Sequence, residues 1–158
     1  MKYEYKQLRV TDLLLNVENP RFDPVEHQTQ AIQSMIDDQG EKLIELAKHI
    51  AKNGLNPMEI ILVQPSGKQW LVREGNRRVT ALKLLNEPEL IPDSKQKYKH
   101  TFSELSKNVD NSILDNIFCV VASDEESINE WILLKHTGEN RGVGTVSWSA
   151  QQTSRFAS

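Results

Sequence analysis

Apolar and polar positions alternate along this chain with two periods, which divide it into helix-like and strand-like runs. Tyr5 to Val10 reads as a first strand. The "NVENPRFDP" that follows reads as a loop, because two prolines and two asparagines punctuate it. Ala31, Ile32, Met35 and Ile36 keep helical spacing over Glu26 to Asp38, with Gly40 as the stop. Leu43, Ile44, Ala47, Ile50 and Ala51 stripe a second helix from Glu41 to Asn53, and Gly54 suits the left-handed position past its end.

"MEIILVQ" and "QWLVRE", joined by "PSGK", predict a β-hairpin. Val79, Leu82 and Leu85 place a helix over Arg77 to Leu85. Residues 86–112 are polar and read as a connector, with "DSKQKYKH" its least ordered part. Ile117 to Ala122 is another strand. "SDEESINEWILLKH" is a helix whose Ser123 and Glu126 have capping-box spacing. The glycine-rich "GENRGVG" then leads to a further helix from Ser147, which the chain ends after about two turns. The expected organisation is therefore one domain over residues 1–146, with 147–158 opening a helix of a longer protein. The expected fold class is α+β: a small mixed sheet carrying several helices.

Composition narrows the function classes. The chain has 158 residues and a formal net charge of -3, from 19 basic and 22 acidic side chains. That balance argues against coating DNA through bulk positive charge. The single cysteine, Cys119, excludes an internal disulfide and a multi-cysteine zinc site, and its apolar setting "IFCVVA" reads as core. No run of 18 apolar residues exists and the N-terminal residues lack a signal-peptide core, so the expected location is the cytoplasm, with no membrane partner.

The chemistry-bearing stretch is "WLVREGNRRVTALKLL", residues 70–85. Gly75 lets the chain turn from strand to helix, and the first amides of the helix point outward without intrahelical partners. Asn76 suits the N-cap position. Arg77 and Arg78 stand where the helix dipole favours acids, at a cost of a few tenths of a kcal/mol each, roughly, and a bound phosphate reverses that sign. Two readings stay open: an anion site, or a surface turn whose arginines pair with Glu74 and neighbouring acids. Arg21 in "NPRFD" sits in a proline-stiffened loop, and "NGLNP" at 53–57 is either a helix stop or part of a site. "HTGENRGVG" offers backbone amides for close approach, together with Glu139 and Asn140 as oxygen donors for Mg2+ or a hydroxyl. No histidine has a second histidine at metal-ligand spacing, and Walker, dinucleotide and nucleophile-elbow motifs are absent.

The order of these pieces resembles the N-terminal domain of the ParB/sulfiredoxin superfamily. "NPR" (19–21), "GLNP" (54–57) and "GNRR" (75–78) stand for the family's Q/N-P-R loop, GL-x-x-P segment and GERR turn. The likeness covers residues 7–86 well, and the strand and helix–loop after 117 more loosely. "GENRG" at 138–142 loosely resembles the family's ENxxR motif, its arginine one residue after the asparagine. The resemblance implies a ParB/sulfiredoxin-like fold and a pocket for a nucleoside triphosphate, CTP or another, with Mg2+. It implies phosphate or nucleotide contacts at Asn19, Arg21, Gly54, Gly75, Asn76, Arg77, Arg78 and Asn140. Glu139 would hold metal, and Glu139 or Glu74 would be the working carboxylate of a weak NTPase. A homodimer, and DNA contacted through regions outside this chain, are the partners it implies. Asn76 stands where partition proteins have an acid and sulfiredoxins a cysteine, so little turnover and no sulfinic-acid repair are expected. The alternative functions are a DNA-binding or nuclease module of ParB type and a small-molecule phosphotransferase.

Overall fold

The structure, a computed structural model, describes residues 3–16 and 24–137. The chain divides into two compact units, Lys2–Ala122 and a second that contains the segment from Ser123 onward. Within the first unit, β1 (Tyr3–Leu8), β2 (Leu13–Leu14), β3 (Leu62–Ser66), β4 (Gln69–Glu74) and β5 (Ile117–Ala122) form one mixed sheet in the order β1-β5-β3-β4-β2. β1 runs antiparallel to β5, β3 antiparallel to β4, and the pairs β3/β5 and β2/β4 are parallel. With α1 (Pro24–Asn53), α2 (Asn76–Asn86), α3 (Gln96–Ser106) and α4 (Asn111–Asp115), the fold class is α+β as expected.

The first strand begins earlier than the sequence suggests. It ends at Leu8, because Val10–Asp12 tighten into a 3-10 turn and drop into the core through Val10. The chain then crosses to the opposite edge of the sheet as β2, where Leu13 and Leu14 pair with Trp70 and Leu71. Two apolar residues in a strand this short carry no readable period.

α1 contains both expected helices. Their junction at Gly40 has φ 17° and ψ −95°, a break inside the helix. A Cβ on Gly40 would come within 2.7 Å of the Tyr98 hydroxyl, so Tyr98 of α3 packs against the break. The buried positions Ile32, Ile36, Leu43, Ile44, Ala47 and Ile50 come from both predicted stripes.

α2 is more deeply placed than a one-stripe helix. Val79, Thr80, Ala81, Leu82, Leu84 and Leu85 are all buried, so it is a central helix with apolar residues around most of its circumference.

The expected connector over 86–112 is overturned. It folds into two 3-10 turns, Pro88–Leu90 and Asp93–Lys95, followed by α3 and the start of α4. Tyr98, Phe102 and Leu105 stand four and three residues apart, and fully buried Phe102 anchors the helix in the core. Fully burying such a ring contributes roughly 1.5–3 kcal/mol, and buried Ile91 in the same segment adds a second anchor. The lysines that made it look unstructured face acids: Lys95–Asp37 at 2.7 Å, Lys97–Glu41 at 2.8 Å and Lys99–Asp93 at 2.6 Å.

In the second unit, α5 (Glu125–His136) is the expected helix, but its N-cap is Asp124 and not Ser123. Asp124 accepts a 2.7 Å bond from the Ser127 hydroxyl and makes no side-chain cap to a helix N–H. The boundary expected at residue 146 and the helix expected from Ser147 lie outside the described residues. Among the described residues, no helix is long and apolar enough to cross a membrane.

Candidate functional site

The turn between β4 and α2 is built around Gly75, which has φ 97° and ψ 22°. This left-handed conformation strains any residue with a Cβ. Here a Cβ would also meet Ile61 Cγ1 and an Arg78 guanidinium nitrogen at 3.2 Å. Gly75 itself is the N-cap, its carbonyl accepting the Val79 N–H at 2.9 Å, and it supplies no capping side chain. The expectation that Asn76 caps the helix is therefore corrected: Asn76 is the first helical residue. The first turn holds no acid, so the outward amides of Asn76, Arg77 and Arg78 carry the positive end of the helix dipole uncompensated within their own helix.

With the cap position filled by Gly75, the Asn76 side chain is free to staple. Its Oδ1 accepts the backbone N–H of Asn16 at 3.0 Å, and its Nδ2 donates to the Val72 carbonyl at 3.4 Å. Next to Asn16, the Gln28 amide grips Leu15 twice, accepting from its N–H at 2.8 Å and donating to its carbonyl at 3.0 Å. The segment after β2 is thus fixed to both α1 and α2. Sequence reading missed Gln28 and gave Asn76 a different role. A lone Gln on a polar helix face gives no signal, and for Asn76 the general N-cap preference pointed to the wrong role.

These contacts frame a pocket of about 410 Å3 beside the N-terminal turn of α2. Leu15 and Asn16 form one wall, Ala31, Ser34, Met35 and Asp38 of α1 a second, and Asn76 and Thr80 of α2 a third. The Thr80 hydroxyl is turned back onto the Asn76 carbonyl at 2.7 Å.

The two arginines have separate surroundings. Arg77 is exposed and borders a shallow depression with Glu41, Lys42, Glu45 and Leu46. Arg78 is tucked in, its side chain only 12% exposed, with nitrogens 3.6 Å from Glu59 and 3.7 Å from Glu74. Its Nη1 is buried without a hydrogen bond, so its charge is met by the two carboxylates at ion-pair distance alone. Glu74 is accordingly engaged with Arg78, and a role as a base requires it to let go. Arg73, near the end of β4, donates to Gln64 on the neighbouring strand at 2.8 Å.

Gly54 (φ 77°) ends α1, its N–H donating to the Ile50 carbonyl at 2.7 Å, and among the described residues a Cβ there would meet Ile113 at 3.9 Å. The segment after it reaches the turn through Glu59 and Ile61. Asn19, Arg21, Glu139 and Asn140 lie outside the described residues. Among the described residues, no three His, Cys, Asp or Glu side chains are grouped to hold a metal ion. Cys119 is buried as expected, and desolvation pushes its thiol up to about 12, which leaves it inert.

No protein-family model matches the chain, and no curated protein matches it in sequence. Among solved structures the chain is similar to the C-terminally truncated chromosome-partitioning protein ParB from Caulobacter crescentus, solved in complex with CTP-γ-S. The identity is 16% and the TM-score 0.45, over 83% of this chain. The chain spans about half, 51%, of that protein.

Proposed function

We propose that this chain is a nucleotide-binding module, a switch domain of a larger protein, whose phosphate site is the Gly75 turn. One observation carries the reading. A left-handed glycine opens α2 without a capping side chain or a first-turn acid, and does so beside a pocket of about 410 Å3. Outward amides, the helix dipole and the exposed Arg77 together favour an anion. Arg77 is the better placed arginine, since Arg78 must first leave Glu59 and Glu74. The motif order NPR, GLNP, GNRR supports a triphosphate over a simple anion, with Asn19 and Arg21 on the phosphates, Gly54 beside the nucleotide, and Glu139 and Asn140 serving Mg2+. Asn76 in place of an acid, and held as a staple, suits binding with little hydrolysis.

A thermal-shift screen of the four nucleoside triphosphates, with CTP-γ-S beside them and with and without Mg2+, tests this reading. A nucleotide present at 100 times its dissociation constant stabilises the fold by about 2.7 kcal/mol. No shift with any nucleotide at millimolar concentration, in either metal condition, removes the proposal.

A further inference from the structure

Two turns further along α2, Lys83 enters a second cavity, of about 340 Å3, which the nucleotide reading does not use. Val10, Leu13, Leu14, Ile32 and Leu90 give it apolar walls. Thr11, Gln69 and Asn86 add neutral polar groups. The volume lies at the small end of ligand pockets, about 300–1,000 Å3. Lys83 makes one long hydrogen bond, from Nζ to the Val10 carbonyl at 3.3 Å, and among the described residues no carboxylate lies within ion-pair distance. Two of its three ammonium protons therefore lack acceptors among the described residues. A half-buried cation in that state is costly without an anion. Burial holds its pKa below the ordinary 10.5, while the charges of Glu87 and Asp12 act the other way from a greater distance.

We propose that this cavity binds a small organic monocarboxylate with a hydrocarbon body, the carboxylate on Lys83 and the body against the apolar walls. A single negative charge fits better than several. Glu87 borders the cavity and Asp12 acts on Lys83 through its charge, so a polyphosphate or dicarboxylate would meet more repulsion than one carboxylate does. The site is therefore chemically distinct from the Gly75 turn, and the inference stands whether or not nucleotides bind there. The competing explanation is a strut, with Lys83 only tying Val10 to α2, and it predicts no preference for an anion.

Isothermal titration with sodium octanoate, below its micellar concentration, and with octanol as the uncharged match, separates the two. Octanoate should bind the wild-type chain at least about tenfold more tightly than octanol, as a charge-assisted hydrogen bond requires. Lys83→Met should erase that preference and leave octanol unchanged, while Lys83→Arg keeps it. Octanoate should also shift the methyl resonances of Leu13, Leu14, Ile32 and Leu90. Equal binding of the two probes, undetectable octanoate binding, or shifts clustered away from these methyls would overturn the proposal. If Lys83→Met does not fold, the wild-type comparison and the methyl map still decide.

Discussion

Replacing Gly75 by alanine tests the turn on which the candidate site depends. A Cβ at φ 97° carries a left-handed penalty of about 1–2 kcal/mol. It also sits 3.2 Å from both Ile61 Cγ1 and an Arg78 guanidinium nitrogen. Neither neighbour yields cheaply: Ile61 is 2% exposed, and Arg78 is held by two carboxylates. Overpacking of this kind costs about 1–3 kcal/mol more. The expected loss is about 2–5 kcal/mol, or a fall in Tm of about 4–20 °C for a chain of this size. Gly54→Ala is the internal control. Its φ of 77° is also left-handed, but its nearest neighbour, Ile113, stands at 3.9 Å, so only the backbone penalty of about 1–2 kcal/mol applies. Urea unfolding followed by circular dichroism gives both values. If Gly75→Ala costs no more than Gly54→Ala, the crowding argument and the packed turn it describes are wrong.

The two arginines should separate in function. Arg77→Ala should weaken triphosphate binding by about 1.5–3 kcal/mol with stability unchanged, whereas Arg78→Ala should lower stability by removing the ion pairs to Glu59 and Glu74; calorimetric titration and melting of both variants check this, and matching profiles refute it. Lys97 holds the Glu41 carboxyl below its ordinary 4.5 by a hydrogen bond and by charge. That pair therefore stabilises the fold above this value and ceases to as pH falls through Glu41's lowered pKa. The urea midpoints of wild type and Lys97→Met should converge in acid, and a gap that widens there contradicts the sign. Duplex DNA should bind no better than about 10⁻⁴ M near physiological salt, since Lys95, Lys97 and Lys99 are occupied by Asp37, Glu41 and Asp93. Fluorescence anisotropy showing micromolar binding with a steep salt slope would reverse that ranking.

The sequence alone determined the elements whose apolar period is long or whose punctuation is strong. Both halves of α1 with their break at Gly40, the β3–β4 hairpin, α2, β5 and α5 were all readable from local pattern, because burial of one face imposes that period. It also identified Gly75 as the glycine that turns strand into helix. Tertiary structure decided the rest. α3 needed the core that receives Phe102, and Lys95 and Lys97 met Asp37 and Glu41 of α1, partners that no local window contains. Asn76 became a staple and not a cap because Asn16, 60 positions away, presents its N–H there. Arg77 and Arg78, identical neighbours in sequence, took opposite roles because adjacent helical residues point about 100° apart. One side chain met Glu59 and Glu74, and the other met solvent.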